Sequence, residues 1–509
     1  MLITVLTTLT ADRPYHHVHP GYFDASALLL DDAPVSSTRE RFRRAQTLLR
    51  AAATPVAPAV KSTVIFPTDF GADPTGEVDS STAFNRSVAA LLALAREDHK
   101  DTFHLYDLGG ATLDLGGGVY TISKPVAVPP GYSNFKIQSG TLVASSAFPA
   151  GEFMLSVGAG GAGCSAPASP GLKKGNCNRL VDVSHMTLDG GRFAYGCLLA
   201  NHTMDVNVGP AMMVVGYTDA GISLAGSGAG FIQHAWLGAV APGSSTPRPQ
   251  ATGTAIVLLD GQHDAMVDSV IIFSGQHGVR SGNGANRLQG VHAWNLAGSD
   301  GGTGIWLGTA WGGPSGGRVQ NCYLDYAPLV VSNPGDLVVT GNLFLGSSTL
   351  VLAAASAHFD VRNVIITDNE HHTGNRGNAS FVLDERLGSF RSVTDVVIEG
   401  NEVDATDAAA NKTGTRATLS APLAPGASSA LLYFDAYLLF ASLPIDEPSI
   451  RCFLHGPHAT ALSATLKYDR AVMVTLAAPV PHGMGSGSRG GGASVTCSVD
   501  QSSRVCPAH

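Results

Sequence analysis

Three aspartates, two histidines, an arginine and a tryptophan crowd one stretch of the chain: Asp264, Asp268, Asp325, His277, His292, Arg280 and Trp311. Cleavage of a glycosidic bond with inversion needs one protonated and one ionised carboxyl group, far enough apart to admit a water. Asp264 and Asp325 are the candidate acid and base, with His277 and His292 as further proton carriers between them. Arg280 is the group best suited to pair the carboxylate of an acidic sugar. Asp268 and Trp311, the latter in a glycine-rich loop, complete the candidate substrate-binding set. Each residue also has a plainer reading. Asp264, Asp268 and Asp325 suit bends, and His292 suits a hydrogen-bonded structural role. The remaining tryptophans, Trp236, Trp294 and Trp306, read as core packing.

Such residues cooperate only if something stacks them. From about residue 110 one short unit keeps returning, an apolar anchor followed by small or polar residues and a second large apolar residue. The anchors are Val183, a weak copy at Val206, Ile232, Val267, Leu288, Val319, Val339, Ile366 and Ile398. The mean interval is about 27 residues, without helical periodicity between the copies, which excludes alternating strand–helix units. Second short strands fill the gaps, as at 253–258 and 302–307. The fold class expected is therefore all-β, a right-handed parallel β-helix with an N-terminal helical cap and a C-terminal antiparallel β cap. Recurrent Gly, Asn and Asp after each anchor suit left-handed bends between sheets. Coils stacked about 4.8 Å apart would hold acids one or two coils apart at a working distance, and close enough to raise one another's pKa.

Three segments follow. Residues 1–60 form a leader with a helix over 37–53, ended by Pro55 and Pro58. Residues 61–415 form the β-helix, opening with a helix that Asp79 or Ser80 can cap and whose apolar face is Ala83, Phe84, Val88, Leu91, Leu92 and Leu94. Residues 416–509 form the β-rich cap, with strands near 430–437, 464–468 and 472–476 and a flexible loop at 485–492.

Charged residues are 14% of the 509, against roughly 25% in an average soluble protein. The net charge of −9 argues against a nucleic-acid partner, and no apolar stretch is long enough to span a membrane. Seven cysteines fit no zinc spacing. Cys164 with Cys177, and Cys452 with Cys497, are plausible disulfides, and Cys322 reads as a buried inert thiol. Sequons at Asn85, Asn201, Asn378 and Asn411 favour the secretory route, although residues 1–11 make a poor signal peptide. An extracellular monomer without cofactor or metal is expected.

The opening Phe66-Pro-Thr-Asp-Phe-Gly-Ala-Asp-Pro-Thr-Gly and the later Gly116-Gly-Gly-Val-Tyr-Thr-Ile resemble the pectate-lyase-3 group of right-handed β-helix proteins. Gly284-Ala-Asn-Arg-Leu-Gln-Gly-Val-His292 and Asn321-Cys-Tyr-Leu-Asp-Tyr326 resemble most closely the plant quartet-type polygalacturonases. That resemblance implies a secreted glycoside hydrolase acting on α-1,4-galacturonan in cell-wall pectin, with an acidic polysaccharide as partner. The Asn-x-Asp, Asp-Asp, Gly-His-Gly and Arg-x-Lys motifs of family 28 glycoside hydrolases are not reproduced. Gly275-Gln-His-Gly278 stands where Gly-His-Gly falls, Gly253-Thr254 where Asp-Asp falls, and Gly304-Ile-Trp306 where Arg-x-Lys falls. Two other functions stay open: a Ca²⁺-dependent polysaccharide lyase, and a β-helix that binds glycan without cleaving it.

Overall fold

Register, rather than strand length, shows how the chain is wound. The computed structural model describes residues 63–505, apart from 159–176, 227, 239–252, 259–261, 274, 283–284, 295–301, 310–312, 373–378, 404–413, 436, 441–442, 444, 446, 456–461, 469–470, 481–492 and 503. The helix over 37–53, Cys164, Trp311, two of the sequons and the loop at 485–492 lie outside the described residues. Within them, Val183, Val208, Ile232, Val267, Leu288, Val319, Val339, Ile366 and Ile398 pair in parallel, each directly over the next. The repeat is therefore a physical stack, with one correction. The copy at Val206 is displaced by two residues, since Val206 pairs with Val181 and Val208 takes the anchor position. A slip of two keeps the same face inward, so the pattern alone does not separate the two.

From Ile232 onward a second ladder follows each anchor by five residues: Leu237, Ile272, Ala293, Leu324, Phe344, His371 and Val403 stack in turn. The join between the ladders is one bend. The residue two past the anchor has positive φ in every coil from His234 onward, at Ser269, Gly290, Asn321, Gly341, Asp368 and Gly400. This is the left-handed conformation that Gly, Asn and Asp tolerate best. A third ladder is a separate ten-stranded parallel sheet that includes Ala220–Ala225, Thr254–Leu258, His277–Ser281 and Thr303–Leu307. Three parallel ladders visited in turn by every coil make a parallel β-helix. Its interior is one continuous core, in which nearly every anchor is fully buried.

The residue after each bend faces inward, and in three successive coils it is asparagine. Asn342 Nδ2 donates to Asn369 Oδ1 at 2.8 Å, and Asn369 Nδ2 donates to Asn401 Oδ1 at 2.8 Å. Their amides also satisfy backbone groups of the bends, including the carbonyl of Val339. Asn369 is wholly buried, so truncating it strands donors and acceptors on two neighbouring coils. Asn369→Ala is expected to destabilise the protein by about 2–4 kcal/mol, read as a lower midpoint in urea unfolding.

The helix Ser81–Leu92 buries Ala83, Phe84, Val88 and Leu91 in the main core, with the Phe84 ring edge-on to Tyr120 at 5.1 Å. Asp79 Oδ1 accepts from the Ser81 amide, and Asp79 also receives the Ser123 amide and hydroxyl, tying the helix start to the first coil. From Arg416 on, strands run antiparallel in two three-stranded sheets with a separate core, while Leu439, Phe440 and Leu443 join the main one. Cys452 and Cys497 face each other across that segment and form a disulfide. Cys322 is a free, buried thiol, its pKa pushed up to about 12 by burial.

Candidate functional site

A strand in such a stack points alternate side chains outward, and the third ladder builds a site that way. In His277–Ser281, Gly278 and Val279 are buried, while His277 is half-buried and Arg280 exposed. On the next coil Ile305 and Leu307 point inward, so Trp306 points out. Arg280 and Trp306 are in register, and the guanidinium lies over the indole ring, 5.0 Å from its centroid. These two side chains and His277 line a cleft of about 580 Å³ with Phe153, Tyr195, Leu199, Asp219, Ser223, Thr254, Val257 and Gln276.

The polar groups of this cleft are differentiated. His277 Nδ1 lies 2.7 Å from Thr303 Oγ1, which fixes the ring and leaves Nε2 without a protein partner among the described residues. Burial, and then the Arg280 charge, push the His277 pKa below its ordinary value, so the ring is neutral near pH 7. Tyr195 is hydrogen-bonded to Asp219, and that bond together with burial pushes the phenol up to about 12. Asp219 is the single carboxylate among the lining residues. Arg280 has no carboxylate partner among the described residues, so its charge is available to a ligand.

The sequence candidates do not all converge here. His277 and Arg280 share the cleft. Asp268 lies on the first ladder, in register with Gln289. Asp264 sits in the loop before it at positive φ, exposed, with its carboxylate 2.7 Å from His263 Nδ1. His292 and Asp325 come together on adjacent strands of the second ladder. There burial raises the Asp325 pKa and the nearby His292 lowers it, so desolvation supplies the upward shift expected from a neighbouring acid. Burial depresses His292, which stacks on Tyr323 at 4.3 Å. Trp311 lies outside the described residues.

The tryptophans correct the expectation of core packing. Trp236, Trp294 and Trp306 are all half-exposed and outward: Trp236 and Trp306 lie between inward residues of their own strands, and Trp294 follows the inward Ala293. Asp219, Tyr195 and Phe153 join the cleft without being among the sequence candidates. Aligning the four outward strands of the third ladder would have found Asp219, which precedes Ala220 where Gly253 precedes Thr254 and Gln276 precedes His277. A second depression, lined by Arg416, Arg451 and Asp500, has its Arg416 engaged by Asp500 at 2.9 Å and Glu399 at 3.1 Å. That ion-paired arrangement is self-satisfied.

The fold and the comparisons define the class. The chain belongs to the polygalacturonase-like family of parallel β-helix proteins. The relative that shows it is the polygalacturonase QRT3 of Arabidopsis thaliana, 30% identical over 338 residues, which are 66% of this chain and 66% of that protein. The chain thus matches about two thirds of that relative's length. No family model matches the chain. Among solved structures, ORF18 of Geobacillus virus E2 is similar at 11% identity and a TM-score of 0.49, over 77% of this chain and 72% of that one. The A-module of the mannuronan C-5 epimerase AlgE4 of Azotobacter vinelandii is similar at 14% identity and a TM-score of 0.44, over 66% and 87%.

Proposed function

We propose that the chain is a secreted hydrolase of α-1,4-linked galacturonan and that the third-ladder cleft is its active site. The observation that carries the reading is the Arg280–Trp306 pair. An unpaired guanidinium beside a half-exposed indole offers one uronate residue a carboxylate partner and a flat apolar surface together. Trp306 occupies the strand position where the resemblance calls for the lysine of Arg-x-Lys, and Arg280 supplies a cation from the coil before it. Asp219 and His277 lie on strands two steps apart, a rise of roughly 9.6 Å, near the separation of an inverting pair. In this reading His277, held neutral, takes a proton from the attacking water through Nε2. Asp219 in its protonated form gives that proton to the departing glycosidic oxygen, and the Tyr195 phenol donates to the carboxylate left behind. Family membership supports a glycan substrate, and the cationic cleft in a chain of net charge −9 supports an acidic one.

Incubation with polygalacturonate tests this. New reducing ends without the ultraviolet absorbance of an unsaturated product are expected, whereas that absorbance would establish elimination instead. His277→Ala and Asp219→Asn are each expected to lower kcat by about 10²–10⁴-fold, the usual share of a positioned acid or base. Asp264→Asn and Asp325→Asn are expected to stay within about twofold of the parent, as surface substitutions away from the chemistry do. Wild-type rates in the first pair with a loss in Asp325→Asn would move the active site to the second-ladder face.

A further inference from the structure

We infer that the first ladder carries a second binding strip for the acidic polysaccharide, built on Arg287 and Arg318 and separate from the catalytic cleft. The inference takes its substrate class from the proposed function but does not need the chain to cleave that substrate. Six outward side chains follow one another in register down this ladder: Phe231, Met266, Arg287, Arg318, Val338 and Ile365. The two arginines are adjacent, about 4.8 Å apart, and both are exposed. Like charges placed directly opposite one another across strands are destabilising. Structural pairing does not relieve them. Arg287 Nη2 donates to the amide oxygen of Gln289 at 2.5 Å, and neither guanidinium has a carboxylate within ion-pair distance among the described residues. The nearest acid in register is Asp268, which lies on the adjacent coil opposite Gln289.

The rest of the line fits a sugar polymer better than it fits free ions. On one side stand Phe231, exposed at 43%, and Met266, and on the other Val338 and Ile365, exposed at 44%. Cations set in an apolar line match an extended chain that presents carboxylates and carbon–hydrogen faces in turn. Beside the arginines, Gln289 and Gln320 are in register and supply amides for hydroxyl groups. Nucleic acid, the other common polyanion, would need a wider basic surface than two arginines on a chain of net charge −9. Two forked guanidinium groups one strand apart can share one carboxylate or take two from successive residues.

Adsorption of the full chain to immobilised polygalacturonate, against neutral galactan as control, tests the strip in four forms: parent, Arg280→Ala, Arg287→Ala with Arg318→Ala, and Arg287→Lys with Arg318→Lys. The alanine pair is expected to bind the polymer about tenfold or more weakly, with a shallower dependence on salt. Its turnover of a short tri-uronide should match the parent, and the lysine pair should recover part of the binding. Arg280→Ala should still adsorb to the polymer. Adsorption of the alanine pair equal to the parent, or an equal loss on neutral galactan, overturns the inference. Absence of hydrolysis by every form, with adsorption still falling in the alanine pair, removes the proposed hydrolase activity and leaves the strip standing.

Discussion

Arg280→Ala is expected to lower kcat/KM on polygalacturonate by about 30–150-fold, the equivalent of roughly 2–3 kcal/mol for a charge-assisted contact. The carboxylate of an acidic sugar would lose the one cationic side chain among the described lining residues, and Trp306 would lose the cation that lies over its ring. Most of the effect should fall on KM if the contact is equally strong before and during bond cleavage. Arg280→Lys keeps the charge but loses the planar fork, so it should restore only part of the binding. The pH profile carries a second signature, because removing the Arg280 charge takes away one of the two influences that depress His277. The acid limb of the rate, which lies below the ordinary histidine value of 6.5 in the parent, should move upward in Arg280→Ala. Steady-state kinetics across pH on one preparation would check both. An unchanged kcat/KM in the alanine variant would remove Arg280 from substrate recognition.

Stability should fall as the solution is acidified from pH 6.5 to 4, and His371 should be a principal cause. Its ring fills a core position of the second ladder that neighbouring coils give to Phe344 and Val403. It lies parallel to the Phe344 ring at 4.4 Å and 4.8 Å from Phe381. Neither ring nitrogen has a hydrogen-bond partner among the described residues. Burial, with a small push from His372, lowers the pKa to about 4. The sign follows from linkage. Above 6.5 the ring is neutral whether the chain is folded or unfolded, and nothing is lost. Between 6.5 and 4 only the unfolded chain takes up the proton, so acid draws the equilibrium toward unfolding by up to about 3 kcal/mol. His371→Leu should remove that dependence and raise stability at pH 5 by about 1–3 kcal/mol, since it also ends the burial of two unpaired nitrogens. Urea unfolding at pH 7 and pH 5 separates the effects. A variant with the same pH slope as the parent would clear His371.

The winding was legible because each anchor repeats an inward apolar residue at a recurring interval, with no helical periodicity in the stretches between. It blurred only at Val206, where a two-residue slip leaves the face unchanged. The disulfide between Cys452 and Cys497 and the free thiol of Cys322 were legible for similarly local reasons. The proposed cleft was legible in part. His277 and Arg280 stand out beside glycines on one short strand, but the candidate acids do not share their sheet. Asp268 lies one residue past an anchor and Asp325 six past, so the left-handed bend turns them onto different ladders. Asp219 was passed over because it precedes its strand. Trp306 faces out because Ile305 and Leu307, inward on either side, require it, a parity that the core reading of its indole does not use.

The five-residue step between the first two ladders has a consequence for how such a chain can diversify. From Ile232 onward that side of the coil keeps one gauge, while the coil before it takes six residues from Val208 to Val214 and the later coils still stack in register. The connections entering the third ladder obey no such gauge, running from three residues between Phe273 and His277 to fifteen between Gly238 and Thr254. Differences in coil length are therefore concentrated in the connections that lead into the third ladder, while from Ile232 onward the turn between the other two keeps its five residues.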